Sequence, residues 1–390
     1  MRHQRRDTPS LKRKAVSFSV NAEHLYIHVP FCARRCVYCD FSIAVRTRVP
    51  VEDYITAVAR EWDQRHAASR FTLRTLYVGG GTPSKLGADG VQKLLDVVRA
   101  RAPLDSEAEV TIEANPEDVT VEVVRAWREA GVNRISLGVQ SFDDAVLKWM
   151  HRTHDPATAV RAVESARVGG IDNISIDLIF ATPSVPARSW ANDIERAIQL
   201  DVPHVSAYGL TVEPRTPLGR WVARHEVGEP AEDVFEENFL RAHASFSAAG
   251  FEHYEVSNYG RPGRHSRHNW AYWRRQPYGG LGPSAHEFDG ETRSWNVEAY
   301  ARWMSRVVAG ASSVEDSERL TPNQIMAECT YLGLRTKGGL ALSSEECEHI
   351  QPWIASRWAT VSERQLRLTA EGWLRLDALA ADLTHFRSRY

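Results

Sequence analysis

Three cysteines stand close together near the amino end of the chain, as Cys32, Cys36 and Cys39. The other two of its five cysteines, Cys329 and Cys347, lie far downstream. Thiolates spaced by a few residues can converge on one metal centre, and three of them leave a coordination position open. The odd count also argues against a disulfide framework and for thiols that are kept reduced. The segment therefore predicts a metal or cluster centre with one reactive position.

Two kinds of metal centre fit this loop unequally. A structural zinc site closes with four ligands from paired spacings. His24 or His28 could add a ligand, but both alternate with the apolar residues of a predicted strand. A conventional iron–sulfur cluster takes four thiolates, so three would leave one iron open to a substrate. We expect such a cluster, and a zinc-stabilised binding module stays open as an alternative.

Six short apolar segments alternate with amphipathic helical patterns along the first two hundred or so residues. The predicted strands are 25–29, 76–78, 110–112, 135–139, 174–180 and 205–210. The predicted helices between them are 51–65, 91–101, 119–130, 157–168 and 187–200. Such alternation favours parallel strands with right-handed crossovers, as either an open doubly wound sheet or a curved incomplete barrel. In both, loops at the carboxyl ends of the strands build the site.

The spacing Cys-x3-Cys-x2-Cys directly after a strand resembles the radical S-adenosylmethionine superfamily. The resemblance implies an α/β fold with an incomplete (β/α)6 barrel. It also implies a [4Fe-4S] cluster on the three cysteines, with its open iron bound to the amino and carboxylate groups of S-adenosylmethionine. An electron passed to the sulfonium would then release a 5′-deoxyadenosyl radical.

Glycines and polar residues follow the predicted strands, where such a ligand would bind. The segment 79–83 is Gly-Gly-Gly-Thr-Pro, and Glu113, Gln140 and Asp177 stand at later strands. Buried polar groups need partners, and the ammonium, ribose and adenine groups of the ligand would supply them, while Arg152 could pair with its carboxylate. The resemblance adds two tyrosines to the pocket. The expected S-adenosylmethionine site comprises Tyr26, Tyr38, Gly80, Gly81, Thr82, Glu113, Gln140, Arg152 and Asp177.

Several stretches resemble the coproporphyrinogen oxidase-like branch of the superfamily, which contains oxygen-independent coproporphyrinogen oxidases and HemW-type haem chaperones. These stretches are 26–32, 79–81, 113–116, 138–142 and 176–179. The oxidases carry a further cysteine two residues beyond the third ligand, where this chain has Phe41. They also have a longer amino-terminal segment over the site. Both differences favour the chaperones.

The segment 268–273, His-Asn-Trp-Ala-Tyr-Trp, matches the His-Asn-x-x-Tyr-Trp motif associated with haem binding in HemW-type proteins. An imidazole can ligate haem iron, and aromatic rings can cover the apolar porphyrin face. The resemblance therefore implies that His268, Asn269, Tyr272 and Trp273 bind haem. A Trp-rich packing loop is the structural alternative.

Charge and composition restrict the partners and the domain organisation. Forty-eight basic and fifty acidic residues give a net charge of -2, so we expect no nucleic-acid partner. A basic flexible leader is predicted at 1–20, and without a long apolar run the expected location is cytoplasmic. The other predicted regions are the barrel at 21–230, a connecting region with the haem motif at 231–312, and a small, mainly helical, winged-helix-like domain at 313–390. Within that domain, Cys329 is predicted to lie in the core with Ile325 and Leu332.

The resulting hypothesis is a haem chaperone that uses a [4Fe-4S] cluster and S-adenosylmethionine and passes haem to recipient apoproteins, such as respiratory haem proteins. A homodimer and transient contact with membrane-bound respiratory proteins are compatible with that role. The alternative is an oxygen-independent coproporphyrinogen dehydrogenase.

Overall fold

A nine-stranded sheet organises the computed structural model, which describes residues 22–67, 72–183 and 189–389. The predicted leader at 1–20 lies outside these residues. Six strands are parallel and adjacent in chain order, and each contains most or all of one predicted strand. They are β1 His24–Val29, β2 Leu73–Gly80, β3 Leu104–Ala114, β4 Arg134–Gln140, β5 Ile174–Phe180 and β6 His204–Gly209. The predicted α/β class is confirmed, and the sheet is open rather than a closed barrel.

Helices connect the parallel strands at the predicted places. They are Val51–His66, Gly87–Arg99, Val121–Glu129, Pro156–Val168 and Trp190–Gln199. Thr120, Asp155 and Ser189 cap three of them by accepting a hydrogen bond from a backbone N–H in the first turn. Helix Asp144–Trp149 and the 3₁₀ turns Pro83–Leu86 and Pro116–Asp118 are not among the predicted elements.

Apolar side chains of the parallel strands and of the inner helix faces form the main core. Leu25, Ile27, Ile112 and Ile135 have no exposed surface, and neither does Trp127 on a covering helix. Burial on both faces explains why these strands appear in the sequence as continuous apolar runs rather than alternating ones.

The chain after β6 adds strands to both edges of the main sheet and forms a second, smaller sheet. Gly279–Leu281 pairs parallel with β1 at one edge, while Glu252–Glu255 and Asn258–Gly260 lie antiparallel at the other. The smaller sheet consists of His286–Phe288, Thr292–Asn296 and Val314–Arg319. The helices of this region are Pro217–Ala223, Glu232–Ala248, Arg267–Trp273 and Tyr300–Val308.

The C-terminal region has the order helix, strand, two helices, β-hairpin and two further helices, in line with the predicted mainly helical, winged-helix-like domain. Its elements are Pro322–Arg335, Leu340–Ala341, Ser344–His349, Gln351–Ala355, Ala359–Ser362, Gln365–Leu368, Ala370–Trp373 and Leu376–Arg387. Thr321 begins the first helix with a capping box to Gln324. The prediction that Cys329 is a core residue is wrong, because that helix buries Thr330 and Leu334 and leaves Cys329 exposed. In the part of the chain that the structure describes, no helix is long and apolar enough to cross a membrane.

Candidate functional site

The three clustered cysteines lie on a loop that leaves the carboxyl end of β1. The loop is closed at its base, where Phe31–Cys32 pairs in parallel with Ala44–Val45. The Ala44 N–H donates to the Pro30 carbonyl at 2.7 Å. Within the loop, the Cys39 N–H donates to the Cys36 carbonyl at 3.4 Å. All three thiols are free and partly buried.

A cavity of about 450 Å³, called the cluster cavity below, lies between this loop and the carboxyl ends of the parallel strands. Its size is in the range of small-molecule sites. The cavity brings together all three cysteines and most of the residues expected to bind S-adenosylmethionine. Those residues are Tyr38, Gly80, Gly81, Thr82, Glu113, Gln140, Arg152 and Asp177.

The glycine segment after β2 packs directly against the cysteine loop. A Cβ on Gly81 would lie 2.8 Å from the Pro30 carbonyl and 3.0 Å from the Cys32 sulfur. Gly80 has a φ of 115°, a conformation that favours glycine. The Thr82 hydroxyl lies 3.4 Å from the Cys32 sulfur. The segment therefore brings main-chain groups to the cavity wall where a side chain would not fit.

Two carboxyl groups face the cluster cavity, Glu113 from β3 and Asp177 from β5, on either side of β4. Glu113 accepts hydrogen bonds from the Tyr77 hydroxyl at 2.8 Å and the Gly80 N–H at 2.9 Å. Burial raises the pKa of Glu113 to about 7 and also raises the pKa of Asp177. The Ser136 hydroxyl donates to Asp177 at 3.3 Å. Such groups suit a ligand with a positive charge or hydroxyl donors.

The positively charged guanidinium of Arg152 lines the cluster cavity and lies beside Cys36. Its Nη1 lies 3.7 Å from the Cys36 sulfur, and its Nη2 donates to Asn115 Oδ1 at 2.8 Å and to the Gly138 carbonyl at 2.6 Å. Gln140, on the same wall, has a φ of 67°, which is unusual for a non-glycine residue and typical of functional sites.

A second cavity, of about 960 Å³, adjoins the first and is called the aromatic cavity below. The two cavities share Asp40, Phe41 and Gly80. Tyr26, expected in the S-adenosylmethionine site, lines this second cavity, where its hydroxyl lies 3.1 Å from His28 Nδ1. The other rings in its wall are His28, Tyr272, Trp273, Tyr278, His286, Phe288 and Trp295.

The motif 268–273 is only partly at this cavity. Tyr272 and Trp273 line it, but His268 and Asn269 line neither cavity. His268 is 1% exposed, with Nδ1 2.6 Å from the Thr75 hydroxyl and Nε2 2.9 Å from the Tyr272 hydroxyl. Burial lowers the pKa of His268 to about 3, so the ring is neutral. In this conformation both of its nitrogens are engaged within the protein.

Comparisons with known proteins agree with this geometry. Residues 26–197 match the family model of the Radical SAM superfamily. A protein named Heme chaperone HemW, from Mycobacterium tuberculosis, is 38% identical over 369 residues, which cover 92% of this chain and 94% of its own. The chain belongs to the HemW family.

Further matches extend the HemW relationship. The Heme chaperone HemW of Escherichia coli is 42% identical over 264 residues, which cover 67% of this chain and 69% of its own. Among solved structures, the coproporphyrinogen III oxidase HemN of Escherichia coli, titled a radical SAM enzyme, superposes with a TM-score of 0.81. It is 20% identical and covers 95% of this chain and 92% of its own. That likeness shows a common fold for the two proteins.

The cysteine loop suits the [4Fe-4S] cluster that membership of the Radical SAM superfamily implies. Burial raises the pKa of Cys32, and it raises the pKa of Cys39 to about 11, so both thiols would be protonated at neutral pH without a cation. Among the described residues, no three or more Cys, His, Asp or Glu side chains are grouped closely enough for one metal ion. In a cluster each thiolate binds its own iron, so the ligands need no such grouping.

Sequence reasoning missed several cavity residues of this HemW-family chain. Ser136, Asn115 and Tyr208 line the cluster cavity, and His286 and Arg293 line the aromatic cavity. The latter two lie in a hairpin, and only its register shows that they share a face. Alternation within the short segments 286–288 and 292–296 was the one available signal.

Proposed function

We propose that this chain is a haem chaperone that holds haem in the aromatic cavity, beside a [4Fe-4S] cluster and S-adenosylmethionine in the cluster cavity. The observation that carries the proposal is the contact between the two cavities through Asp40, Phe41 and Gly80. Phe41 is 59% exposed at this boundary, so a bound porphyrin could cover an apolar ring that is otherwise in water. The names of the relatives support the same role.

Residues of the cluster cavity divide into two groups in this proposal. Cys32, Cys36 and Cys39 would hold the cluster, whose chemistry when bound is one-electron transfer to the sulfonium. Gly80, Gly81, Thr82, Glu113, Gln140, Arg152 and Asp177 would bind S-adenosylmethionine, and Tyr38 would line its site. Glu113 and Asp177 suit its positive and hydroxyl groups, and Arg152 suits its carboxylate.

The aromatic cavity offers what a dicarboxylic porphyrin requires. Its rings provide flat apolar surface for the macrocycle. Arg275 and Arg293 lie in the same wall, with their guanidinium carbons 5.0 and 5.8 Å from the centre of the Phe288 ring. Nη2 of Arg275 is buried and has no hydrogen-bond partner among the residues that the structure describes. Carboxylates of haem would satisfy this group, because arginine binds carboxylates with paired hydrogen bonds.

The proposed recipients are haem apoproteins, respiratory ones in particular, which the chaperone would meet from the cytoplasm by transient contact with membrane-bound proteins. A homodimer is compatible with this role. Within the haem motif, Tyr272 and Trp273 would contact the porphyrin, and His268 would hold Tyr272 in place.

A transfer assay tests the proposal. The full chain, purified without oxygen and loaded with haem, is mixed with the apo-form of a b-type respiratory cytochrome, and the Soret spectrum is followed. We expect conversion to the holocytochrome spectrum faster than from an equal amount of haem on serum albumin. Equal rates from both donors would contradict a chaperone role.

The fold likeness to a coproporphyrinogen III oxidase favours one other candidate, oxidative decarboxylation of coproporphyrinogen. The same preparation, reduced and given coproporphyrinogen and S-adenosylmethionine, tests it by product analysis. We expect no protoporphyrinogen. Formation of that product at many turnovers per chain would replace the chaperone proposal by the oxidase one.

A further inference from the structure

One wall of the aromatic cavity is a β-hairpin whose register sorts its side chains. His286–Phe288 pairs antiparallel with Thr292–Asn296, with His286 opposite Trp295 and Phe288 opposite Arg293. Because successive side chains of a strand point to opposite faces, these four residues share one face. All four line the cavity. The wall thus presents an imidazole, two aromatic rings and a guanidinium to the same space.

The intervening residues of the hairpin face the protein interior. Glu287 and Ser294, which are opposite each other, are both 2% exposed. Glu287 pairs with Arg65 at 3.1 Å and with His66 at 3.1 Å. These buried contacts hold Glu287 towards the interior. Because neighbouring side chains of a strand point to opposite faces, they also hold His286 towards the cavity.

His286 differs from the other histidines near this cavity in having free ring nitrogens. His28 engages Nδ1 with the Tyr26 hydroxyl at 3.1 Å and Nε2 with the Ser42 carbonyl at 2.9 Å. His268 is likewise engaged at both nitrogens by Thr75 and Tyr272. The His286 side chain makes no hydrogen bond or ion pair with any residue the structure describes. Its ring stacks beside Trp295 with centroids 6.1 Å apart.

We infer that His286 is the haem iron ligand of this chain, with Phe288 and Trp295 against the porphyrin and Arg293 at a propionate. The inference rests on the proposed function and deepens it. A neutral imidazole with an available ring nitrogen can bind haem iron, and the aromatic rings beside it can pack against the porphyrin.

The same geometry makes His268 a positioning residue. Its Nε2 contact to the Tyr272 hydroxyl orients a ring that lines the cavity, and Thr75 fixes the imidazole from the other side. Replacing His268 would therefore disturb the porphyrin contact through Tyr272 while leaving the iron ligand in place.

Titration of the full chain with haem and with iron-free protoporphyrin distinguishes the two roles. For His286→Ala we expect haem binding to weaken about tenfold or more, with loss of the histidine-ligated spectrum and recovery on adding imidazole. Binding of protoporphyrin, which has no iron, should be unchanged. For His268→Ala we expect both ligands to weaken to a similar extent with the iron spectrum retained.

His225→Asn provides the matched control, because His225 is exposed, lines neither cavity, and has a φ of 58° that Asn tolerates. Should His286→Ala keep the wild-type affinity and spectrum while His268→Ala loses the iron signal, the inference is overturned. If the wild-type chain binds no haem at all, the proposed function itself fails, so the two failures are distinguishable.

Discussion

Nε of Arg275 donates a hydrogen bond of 2.8 Å to the carboxylate of Glu328. Arg293 contacts the other oxygen of the same carboxylate. Arg275, Arg293 and Glu328 all line the aromatic cavity, and Glu328 belongs to helix Pro322–Arg335 of the C-terminal region. The two guanidinium groups proposed to meet the haem propionates are therefore paired with a carboxylate from another part of the chain.

Glu328→Gln should strengthen haem binding, because the neutral amide competes less well than a carboxylate for Arg275 and Arg293. We expect a dissociation constant about three- to tenfold lower, in line with one charge-assisted hydrogen bond. Haem titration by absorbance measures it. The gain in affinity should vanish with haem dimethyl ester, which lacks the free carboxylates. Glu371→Gln, at an exposed position of the C-terminal region, is the control variant and should bind haem as the wild type does. An equal gain with the ester would show that the arginines do not bind propionates.

Because Glu113 is buried, we expect the free energy of unfolding of the cofactor-free chain to depend on pH. Burial raises its pKa from 4.5 to about 7, so the folded state holds the proton more tightly than the unfolded state. The stability from this proton is present below pH 4.5 and is lost as the pH rises through 7. Glu113→Gln should therefore gain about 3 kcal/mol relative to the wild type between pH 4.5 and pH 8, as measured by urea unfolding. A constant difference across this range would contradict the raised pKa.

Arg152→Gln should weaken binding of S-adenosylmethionine about tenfold or more, because it removes the guanidinium beside Cys36 and leaves Asn115 and Gly138 with fewer donors. Calorimetric titration of the reconstituted chain measures the affinity. Arg161→Gln, which removes an exposed arginine, should bind as the wild type does. Unchanged affinity in Arg152→Gln would exclude a carboxylate contact from this side chain.

Gly81→Ala should reduce cluster assembly, because the added Cβ would lie 2.8 Å from the Pro30 carbonyl and 3.0 Å from the Cys32 sulfur. Crowding of this kind typically costs about 1–3 kcal/mol. We expect less iron per chain after reconstitution and a lower melting temperature. Gly228→Ala is a matched control, since nothing lies within 4 Å of its added Cβ. Equal iron content in both variants would show that the loop accommodates the methyl group.

The predictions from sequence succeeded where local pattern determines structure. The parallel strands are apolar runs between turn residues, and the helices between them follow amphipathic patterns, so short-range information was enough. The cluster cavity could also be anticipated, because the ends of parallel strands meet at one edge of a sheet.

Contacts between distant segments could not be predicted in the same way. Residue type and motif assign Tyr26 and His268 to the cofactor sites, yet Tyr26 lines the neighbouring cavity and the ring of His268, on a helix, contacts Thr75 of β2. The side of a ring that faces a cavity depends on partners far apart in sequence. The face of the hairpin that carries His286 likewise depends on Glu287 reaching Arg65 and His66 on a distant helix.

The measurement that tests the account most directly is the iron, sulfide and haem content of one oxygen-free, reconstituted sample of the full chain. We predict about four iron and four sulfide per chain outside haem, with haem retained. Replacing Cys32, Cys36 or Cys39 by Ser should remove most of the cluster iron and sulfide. Wild-type protein that holds neither iron nor sulfide after reconstitution would contradict the account.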